Sequence, residues 1–379
     1  MSSTPVPLNG HSPLHAVQVL GRGSSGSGAH VRSLADGLVA RGVQVTVCAP
    51  HAAEHAYDFT GAGAHFVPAP PRTDPVTVAA LRAACAAADL VHAHGIRAAV
   101  RASLALGGER TPLVVTWHTK AHVEGARAHL VRLMERRAAR AATVLLGTSS
   151  DLVVRARRRG ARDARLAPLA VPAPRTPSPD GDMGDMEECD RGRHKVRAEL
   201  GAVDRPLLLT VGRLERWQGH TRLLDAARAW SALEPQPLLV LAGEGPERAL
   251  LQRRITAEGL PVRLLGRRED VPALLAAADV AVLPSRWEAR ALFAQEALRA
   301  GVPLVATAVG GVPELVADAA ELVPYGDVQA LAGAVTRLLA DPERQAQLAA
   351  AGRAQALTWP TEDDTVAQVL SVYDELAEP

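Results

Sequence analysis

Short apolar runs alternate with stretches of helical periodicity along most of the chain, and this alternation occurs in two successive series. The first series contains runs rich in Val and Leu, such as HAVQVL and PLVVTWHT, and the second begins at PLLLTVG. Strands that are apolar throughout are typical of a parallel sheet covered by helices on both faces. The further runs are VQVTVCAP, ADLVHAHG and ATVLLGTSS in the first series, and PLLVLAGEG, VRLLG, VAVLPS and PLVATAVGG in the second. The sequence therefore predicts an α/β protein with two Rossmann-like, doubly wound parallel-sheet domains.

The two series are separated by VPAPRTPSPDGDMGDMEECDRGRHKV, a segment rich in proline, glycine and acidic residues that is typical of a linker. We predict a first domain over residues 1–172, a flexible linker over 173–205 and a second domain over 206–358, followed by an amphipathic helix over 359–379. Ligands of such sheets bind beyond the carboxyl ends of the strands. We therefore expect the site in a cleft between the two domains.

The composition is that of a globular protein, with 47% apolar and 22% charged residues. Three widely separated cysteines (Cys48, Cys85 and Cys189) indicate neither a disulfide framework nor a metal site, and they fit a reducing compartment. The start of the chain lacks the features of a signal peptide, and no apolar stretch reaches the ~20 residues of a spanning helix. We expect a cytoplasmic protein.

Positive charge is concentrated in the first half of the chain. Residues 1–170 contain twenty Lys and Arg against ten Asp and Glu, and the remainder contains 22 against 31. The surplus is typical either of a solvated, arginine-rich helix pair or of a surface for anionic lipid head groups or an anionic substrate. The second interpretation would place the protein peripherally at the inner membrane face. Aromatic residues are not interleaved with these charges, which argues against nucleic acid.

The stretch LGRGSSGSGAH carries Gly21, Gly23 and Gly26 at the G-x-G-x-x-G spacing, between an apolar run and a helical pattern that starts at Ala29. That context is typical of dinucleotide binding, which also requires an acidic residue at the end of the second strand. The second strand ends in VCAPH, with no carboxylate. An NAD-dependent oxidoreductase is therefore the disfavoured alternative.

Two glutamates in PSRWEARALFAQEALRAG form a second candidate site. A helix that begins near Ala291 would place Glu296 in its second turn and Glu288 in the loop before it. The free amides of the first turn favour an anion, and the two carboxylates could accept hydrogen bonds from sugar hydroxyls on either side of a bound diphosphate. Arg213, at the end of a neighbouring strand, could supply positive charge. The alternative is a helix cap with two surface glutamates.

Several segments together resemble a known family. SGSGAHVRSLADGLVARGVQVTV, VGRLERWQGH, LAGEGPE, VLPSRWEARALFAQEALRAGVPLVATAVGGVPELV and TWPTEDDTVAQVLSVYDEL are similar, in this order, to segments of the family-4 glycosyltransferases. The resemblance covers nearly the whole chain apart from the linker. It implies the GT-B fold and a last helix that crosses back to the first domain.

The resemblance also implies roles for individual residues. His118 would lie beside the transferred sugar, Arg213 would contact the diphosphate, Glu288 would bind sugar hydroxyls and Glu296 the ribose. The implied catalytic residues are His118, Arg213 and Glu288. The implied donor-binding residues are Gly26, Ser27, Gly28, Arg213, Gln218, Glu288, Leu292, Phe293 and Glu296.

The activity that the resemblance implies is transfer of a hexose-type sugar, with retention and without a metal, from a nucleoside-diphosphate sugar. UDP is favoured over GDP as the nucleotide, and the donor is a co-substrate, so no cofactor is expected. The acceptor hydroxyl attacks on the face that the diphosphate leaves, and the leaving phosphate oxygen takes the proton. The protein then positions the substrates and stabilises charge. The acceptor is a small or lipid-linked molecule that the sequence leaves unidentified.

This sequence departs from the family pattern at the site. Gln218 stands where the family has lysine, and Ala289 and Ala291 replace two glycines. Arg216 or Arg290 could substitute for the missing charge. Losing a charge-assisted contact costs about 1.5–3 kcal/mol, so an inactive, nucleotide-binding homologue is a second hypothesis.

Two further motifs could be taken for metal sites. DGD, at residues 180–182, lies in the acidic linker and is interpreted as a chance match. His92 and His94 would share a face of a strand, but with no third ligand evident a neutral histidine on the acceptor side is the preferred interpretation.

Overall fold

The computed structural model of the chain describes residues 13–21, 25–108, 110–170 and 183–377, with the backbone alone for residues 25 and 183–189. The chain divides into two compact units. Unit 1 comprises Met1–Val171 and Pro360–Pro379, and unit 2 comprises Pro172–Trp359. None of the described helices combines the length and the hydropathy that crossing a membrane requires.

Unit 1 is built on a parallel sheet with the strand order β3-β2-β1-β4-β5-β6-β7. The strands are β1 (His15–Leu20), β2 (Gln44–Ala49), β3 (His65–Pro68), β4 (Leu90–His94), β5 (Leu113–Trp117), β6 (Val144–Gly147) and β7 (Ala164–Leu166). The helices between them are α1 (Ser25–Ala40), α2 (His51–Tyr57), α3 (Pro75–Cys85), α4 (Ile96–Leu106), α5 (Ala126–Ala141) and α6 (Ser150–Arg159). Strands β4, β5 and β6 are buried along their whole length, as a sheet covered on both faces requires.

Unit 2 is built on a second parallel sheet, in the order β10-β9-β8-β11-β12-β13. The strands are β8 (Leu207–Val211), β9 (Leu238–Ala242), β10 (Val262–Gly266), β11 (Val280–Leu283), β12 (Leu304–Thr307) and β13 (Glu321–Val323). The helices are α7 (Met183–Leu200), α8 (His220–Trp230), α9 (Arg248–Glu258), α10 (Val271–Ala277), α11 (Leu292–Ala300), α12 (Val312–Val316), α13 (Val328–Leu339) and α14 (Pro342–Ala356). Along β8, Leu207 and Leu209 join one core cluster and Leu208 joins another, so both faces of this sheet are covered.

The last helix, α15 (Glu362–Ala377), belongs to unit 1 although it follows unit 2 in the chain. Its buried face carries Val366, Val369, Val372 and Tyr373, which join the core cluster formed by β1 and α1. The side chain of Val366 packs against Gly37 of α1 at a point where a Cβ would not fit. Helix α15 is therefore part of the core of unit 1.

Helix α7 contradicts part of the predicted flexible linker, because residues 183–200 are helical. Arg193 and Arg197 donate to the carboxylate of Asp279 at 2.8 and 2.9 Å, and the same carboxylate accepts from the backbone N–H of Leu207 at 2.7 Å. These bonds hold α7 to the start of β8. The DGD motif at residues 180–182 lies outside the described residues.

Both sheets have a switch point, where the strand order reverses between two neighbouring strands. It lies between β1 and β4 in unit 1 and between β8 and β11 in unit 2. Ligands of open α/β sheets bind beyond the carboxyl ends of the strands at such points. The segments that follow these four strands are therefore the places to search for a site.

Candidate functional site

At the switch point of unit 2, three polar side chains meet. Ser285 and Glu288 lie in the loop after β11, and Gln218 ends a 3₁₀ turn (Arg216–Gln218) that follows β8. The Ser285 hydroxyl donates to Oε1 of Glu288 at 2.8 Å, and Nε2 of Gln218 donates to the same oxygen at 3.3 Å. Both bonds go to Oε1, so Oε2 of Glu288 takes part in neither.

The Glu288 carboxyl group lies in a desolvated setting. Burial raises its pKa above the usual range, and the hydrogen bonds from Ser285 and Gln218 oppose that rise. A carboxylate that burial desolvates gains most from a ligand that donates hydrogen bonds to it. The arrangement therefore suits recognition of a neutral, hydroxyl-bearing molecule.

Glycines allow the backbone segments of this site to approach one another. Gly219 has φ +77°, and a Cβ there would overlap the carbonyl group of Pro284. Gly310 has φ +54°, and a Cβ there would overlap the carbonyl group of Glu288. The N–H of Gly311 donates to that Glu288 carbonyl at 2.9 Å. The loop that carries Glu288 is thus held by backbone contacts on both sides.

Helix α11 begins where the sequence pattern predicts, with Leu292 as its first residue and Ala291 as its N-cap. Leu292 is exposed, Phe293 is buried, and Glu296 is half-buried in the second turn. Burial raises the pKa of Glu296, and the charge of Arg299 opposes the shift. The free N–H groups of the first turn lie between the two glutamates in the chain, which is the arrangement expected for an anion site.

The predicted cationic residues lie in different settings. Arg213 follows β8 and is exposed, with an ion pair of 2.7 Å to Glu215. Arg290 is partly buried, and burial lowers its pKa to about 10 while the charge of Glu314 opposes the shift. Nη2 of Arg290 lies 3.5 Å from Oε1 of Gln295. Neither its hydrogen bond with Gln295 nor the charge effect of Glu314 involves Gln218, for whose missing charge Arg216 or Arg290 was a possible substitute.

In unit 1, the predicted glycine loop is partly wrong. Helix α1 begins at Ser25, so Gly26, Ser27 and Gly28 form its first turn rather than a loop. The ring of Tyr57 packs against Gly28 so closely that a Cβ would overlap it. Gly23 lies outside the described residues. These amides remain at a helix N-terminus, where an anion is favoured.

Four histidines cluster at the switch point of unit 1. The ring centroids of His30, His94 and His118 are 5.5 Å apart in each pair, and those of His92 and His94 are 4.3 Å apart. Burial lowers the pKa of His30 to about 4, that of His118 to about 3, and those of His92 and His94 well below the usual value. The structure therefore favours four neutral imidazoles. Across the described residues, no group of three or more His, Cys, Asp or Glu is arranged to hold a metal ion.

Two residues that the sequence analysis did not single out, Gln18 and Tyr373, bind this cluster. Nε2 of Gln18 donates to the hydroxyl of Tyr373 at 2.7 Å, and Oε1 of Gln18 lies 2.8 Å from Nε2 of His94. The Tyr373 hydroxyl also lies 2.7 Å from Nδ1 of His92. The sequence did contain a signal for Gln18, which is a glutamine inside the apolar run HAVQVL. A polar residue in a buried strand is normally hydrogen-bonded, so a buried partner was to be expected.

The arginines of helices α5 and α6 lie in two different settings. Glu135 is fully buried and accepts from Arg155 and Arg159, each at 2.7 Å, so part of the surplus has a structural role. On the outer face of α5, Leu130 and Leu133 are 59% and 60% exposed. The exposed arginines beside these leucines are Arg132, Arg136, Arg137 and Arg140.

Two family models match the chain. The model described as glycosyl transferases group 1 matches residues 193–355, and the model described as glycosyl transferase 4-like domain matches residues 25–172. Among solved structures, Anabaena HepE in complex with UDP superposes with a TM-score of 0.78 at 21% identity, covering 96% of this chain and 100% of that one. This likeness confirms the predicted fold of two Rossmann-like sheets.

Curated relatives extend the match. A GDP-mannose-dependent alpha-(1-6)-phosphatidylinositol monomannoside mannosyltransferase of Mycolicibacterium smegmatis is 33% identical over 62% of this chain and 65% of its own length, just under two thirds. The D-inositol 3-phosphate glycosyltransferase of Saccharomonospora viridis is 31% identical over 76% of this chain and 70% of its own length. Together with the two family models, this coverage shows that the chain belongs to the family-4 glycosyltransferases.

Proposed function

We propose that this protein transfers a sugar from a nucleoside-diphosphate sugar to an acceptor, with retention of configuration and without a metal ion. The observation that carries the proposal is the Glu288 carboxylate, which is held through one oxygen by Ser285 and Gln218 at the switch point of unit 2. Its other oxygen can accept hydrogen bonds from sugar hydroxyls. The first turn of α11 supplies amide donors for the diphosphate.

Each part of the donor has a proposed partner. Glu288 binds hydroxyls of the transferred sugar, and Glu296 binds the ribose. Arg213 neutralises the diphosphate, and its exposure leaves it able to do so. The residues beside them, Gln218, Leu292 and Phe293, line the donor site. Catalysis then comes from orientation and from stabilising charge on the departing diphosphate, because the leaving phosphate oxygen takes the acceptor proton.

Residues of unit 1 also have proposed roles in the reaction. The first turn of α1, with Gly26, Ser27 and Gly28, meets phosphate groups, and His118 lies beside the transferred sugar. The neutral state of His118 suits this position, because an uncharged imidazole can accept a hydrogen bond from a hydroxyl group. The acceptor is the least specified participant.

UDP is the nucleotide that we expect, and GDP is the alternative that the mannosyltransferase relative supports, since its name specifies GDP-mannose. Thermal unfolding against UDP, GDP, ADP, NAD and their sugar conjugates, without metal, decides between them. A ligand at a hundred times its Kd adds about 2.7 kcal/mol to the free energy of unfolding. Stabilisation by one nucleotide and its sugar conjugate supports the proposal and names the donor. Stabilisation by NAD alone, or by none of them, contradicts it.

A nucleotide-binding homologue without activity is the second candidate function. The observation that favours it is the uncharged side chain of Gln218. The glutamine amide is engaged with Glu288, so no cation occupies that position. Ala291 weighs less, because it has φ −61° and ψ 110°, a conformation that alanine adopts without strain. Binding of a sugar nucleotide with no turnover against any acceptor class would favour this candidate.

We also propose that the outer face of α5 meets an anionic membrane surface, which suits a lipid-linked acceptor. Exposed leucines flanked by arginines are typical of interfacial helices, and each arginine near such a surface contributes about 1 kcal/mol. The double variant Arg136→Gln/Arg140→Gln is therefore expected to bind phosphatidylglycerol vesicles at least about tenfold more weakly in sedimentation. The control is Arg253→Gln/Arg267→Gln, at exposed positions of unit 2. Equal binding to neutral phosphatidylcholine vesicles would contradict the proposal.

A further inference from the structure

The hydroxyl of Tyr373 joins the carboxyl-terminal helix to the histidine cluster of unit 1. Tyr373 is completely buried, and so are Gln18 and His92, its two hydrogen-bond partners. Buried polar groups that bond to one another in a chain are all satisfied only if every donor faces an acceptor. The positions of the protons along this chain of side chains are therefore linked.

The amide of Gln18 sets the direction of the whole chain. Its Nε2 can only donate, so the oxygen of Tyr373 accepts, and the Tyr373 proton is left for Nδ1 of His92. A neutral His92 then carries its own proton on Nε2, which lies 2.7 Å from the hydroxyl oxygen of Thr116. Each of these three hydrogen bonds thus pairs one donor with one acceptor.

The same amide acts on His118 through His94. Oε1 of Gln18 can only accept, so the proton of His94 is on Nε2, at 2.8 Å. Since His94 is neutral, its Nδ1 is an acceptor, and it lies 3.3 Å from Nε2 of His118. His118 therefore carries its proton on Nε2, and its Nδ1 has a lone pair.

We propose that Gln18 and Tyr373 are positioning residues that hold His118 as the Nε2–H tautomer, so that Nδ1 accepts a hydrogen bond from a hydroxyl of the bound sugar. His118 suits this role because it is only half-buried, whereas His30, His92 and His94 are at most 6% exposed. The sugar contact rests on the proposed function, but the tautomer does not. Reversal of the Gln18 amide would reverse every bond in the chain and place the His118 proton on Nδ1.

The tautomer can be read directly from long-range ¹H–¹⁵N spectra of the full chain labelled with ¹⁵N-histidine, in the absence of substrate. The His118 signals are assigned by their loss in His118→Asn. We expect protonated Nε2 and bare Nδ1 at pH 7.5. A protonated Nδ1 overturns the proposal, and the tautomer itself is read on the unmodified sequence.

Removing the Tyr373 hydroxyl tests the positioning role. In Tyr373→Phe, Nε2 of Gln18 loses its acceptor, so the amide is able to turn over and both tautomers of His118 should appear. The Kd of the sugar nucleotide should rise by the inverse of the fraction that keeps the Nε2–H form, about twofold for half, while the Kd of the nucleoside diphosphate is unchanged. A single unchanged tautomer in Tyr373→Phe would overturn the proposal.

The matched control is Thr365→Val, which removes another buried hydroxyl from α15, one bonded to the backbone of Thr361 and Ala170 rather than to the histidines. It should leave the His118 spectrum and both Kd values unchanged. If no nucleotide binds to any form of the protein, the proposed function fails while the spectrum still decides the tautomer. If nucleotides bind but the tautomer is Nδ1–H, the inference fails alone.

Discussion

Lowering the pH from 8 to 5 is expected to destabilise unit 1 by about 4 kcal/mol through His30 and His118. Burial lowers the pKa values of His30, His92, His94 and His118 far below the ordinary value of 6.5. The unfolded chain therefore binds more protons than the folded one once the pH falls below 6.5. Stability is complete above that pH and is lost as the pH drops toward 4 and 3, the folded values for His30 and His118. At pH 5 His30 and His118 each cost about 2 kcal/mol, and His92 and His94 add to the loss in the same direction.

A loss of about 4 kcal/mol is a large part of the free energy of unfolding of an ordinary domain, which is about 5–15 kcal/mol. Urea unfolding at several pH values, monitored by amide hydrogen exchange in peptides from β4 and β5, reports on unit 1 alone. His30→Phe keeps a ring of similar size and removes one titrating group, so the loss at pH 5 should shrink by about 2 kcal/mol. His129→Phe, at an exposed position of α5, controls for the removal of a histidine. A loss that is the same in His30→Phe as in the wild type would contradict the linkage to this cluster.

Glu288→Gln is expected to weaken binding of the sugar nucleotide by about 10- to 150-fold while leaving binding of the nucleoside diphosphate unchanged. One hydrogen bond to a charged group contributes about 1.5–3 kcal/mol, and in the proposed complex Glu288 contacts only the sugar. Glu296→Ala should weaken both ligands, because Glu296 is proposed to bind the ribose that they share. Calorimetric titration with the nucleotide identified by thermal unfolding needs no acceptor.

The prediction depends on the difference in Kd change between the sugar nucleotide and the nucleoside diphosphate rather than on either Kd alone. Glu343→Gln, on the exposed side of α14, serves as a charge-matched control and should change neither Kd. Equal weakening of both ligands by Glu288→Gln would place Glu288 at the nucleotide rather than at the sugar. Unchanged binding of both ligands in Glu288→Gln and Glu296→Ala would remove the proposed donor site from this end of the sheet.

The fold follows from local patterns wherever a strand is central to its sheet. The apolar runs that predict strands match β1, β2, β4, β5 and β6 and later β8 to β12. The missed strands, β3, β7 and β13, lie at sheet edges, where three or four half-exposed residues produce no apolar run. Helix α7 was missed because its proline- and acid-rich surroundings suggest a linker. Its order comes from arginines that bind Asp279, far away in the sequence.

The candidate site of unit 2 and the histidine cluster of unit 1 differ in how far the sequence predicts them. Glu288 and Glu296 flank a helix start within one continuous segment, so their spacing was enough to predict the arrangement. The bond between Gln18 and Tyr373 joins residues 355 positions apart, and no local pattern encodes such a pair. His30 was missed for a related reason, since it comes from α1, whereas its neighbour His94 ends β4 and its neighbour His118 follows β5.

The return of α15 to unit 1 has a consequence for biosynthesis. A ribosome releases β1 to β7 early, but the valines and Tyr373 that complete their core emerge only after the whole of unit 2. Unit 2 is continuous in the chain and can fold as soon as it has left the exit tunnel, whereas unit 1 must wait with an uncovered apolar face. Unit 1 is therefore synthesised first but completes its folding last. A premature stop after unit 2 would leave a nascent chain that chaperones and proteases recognise.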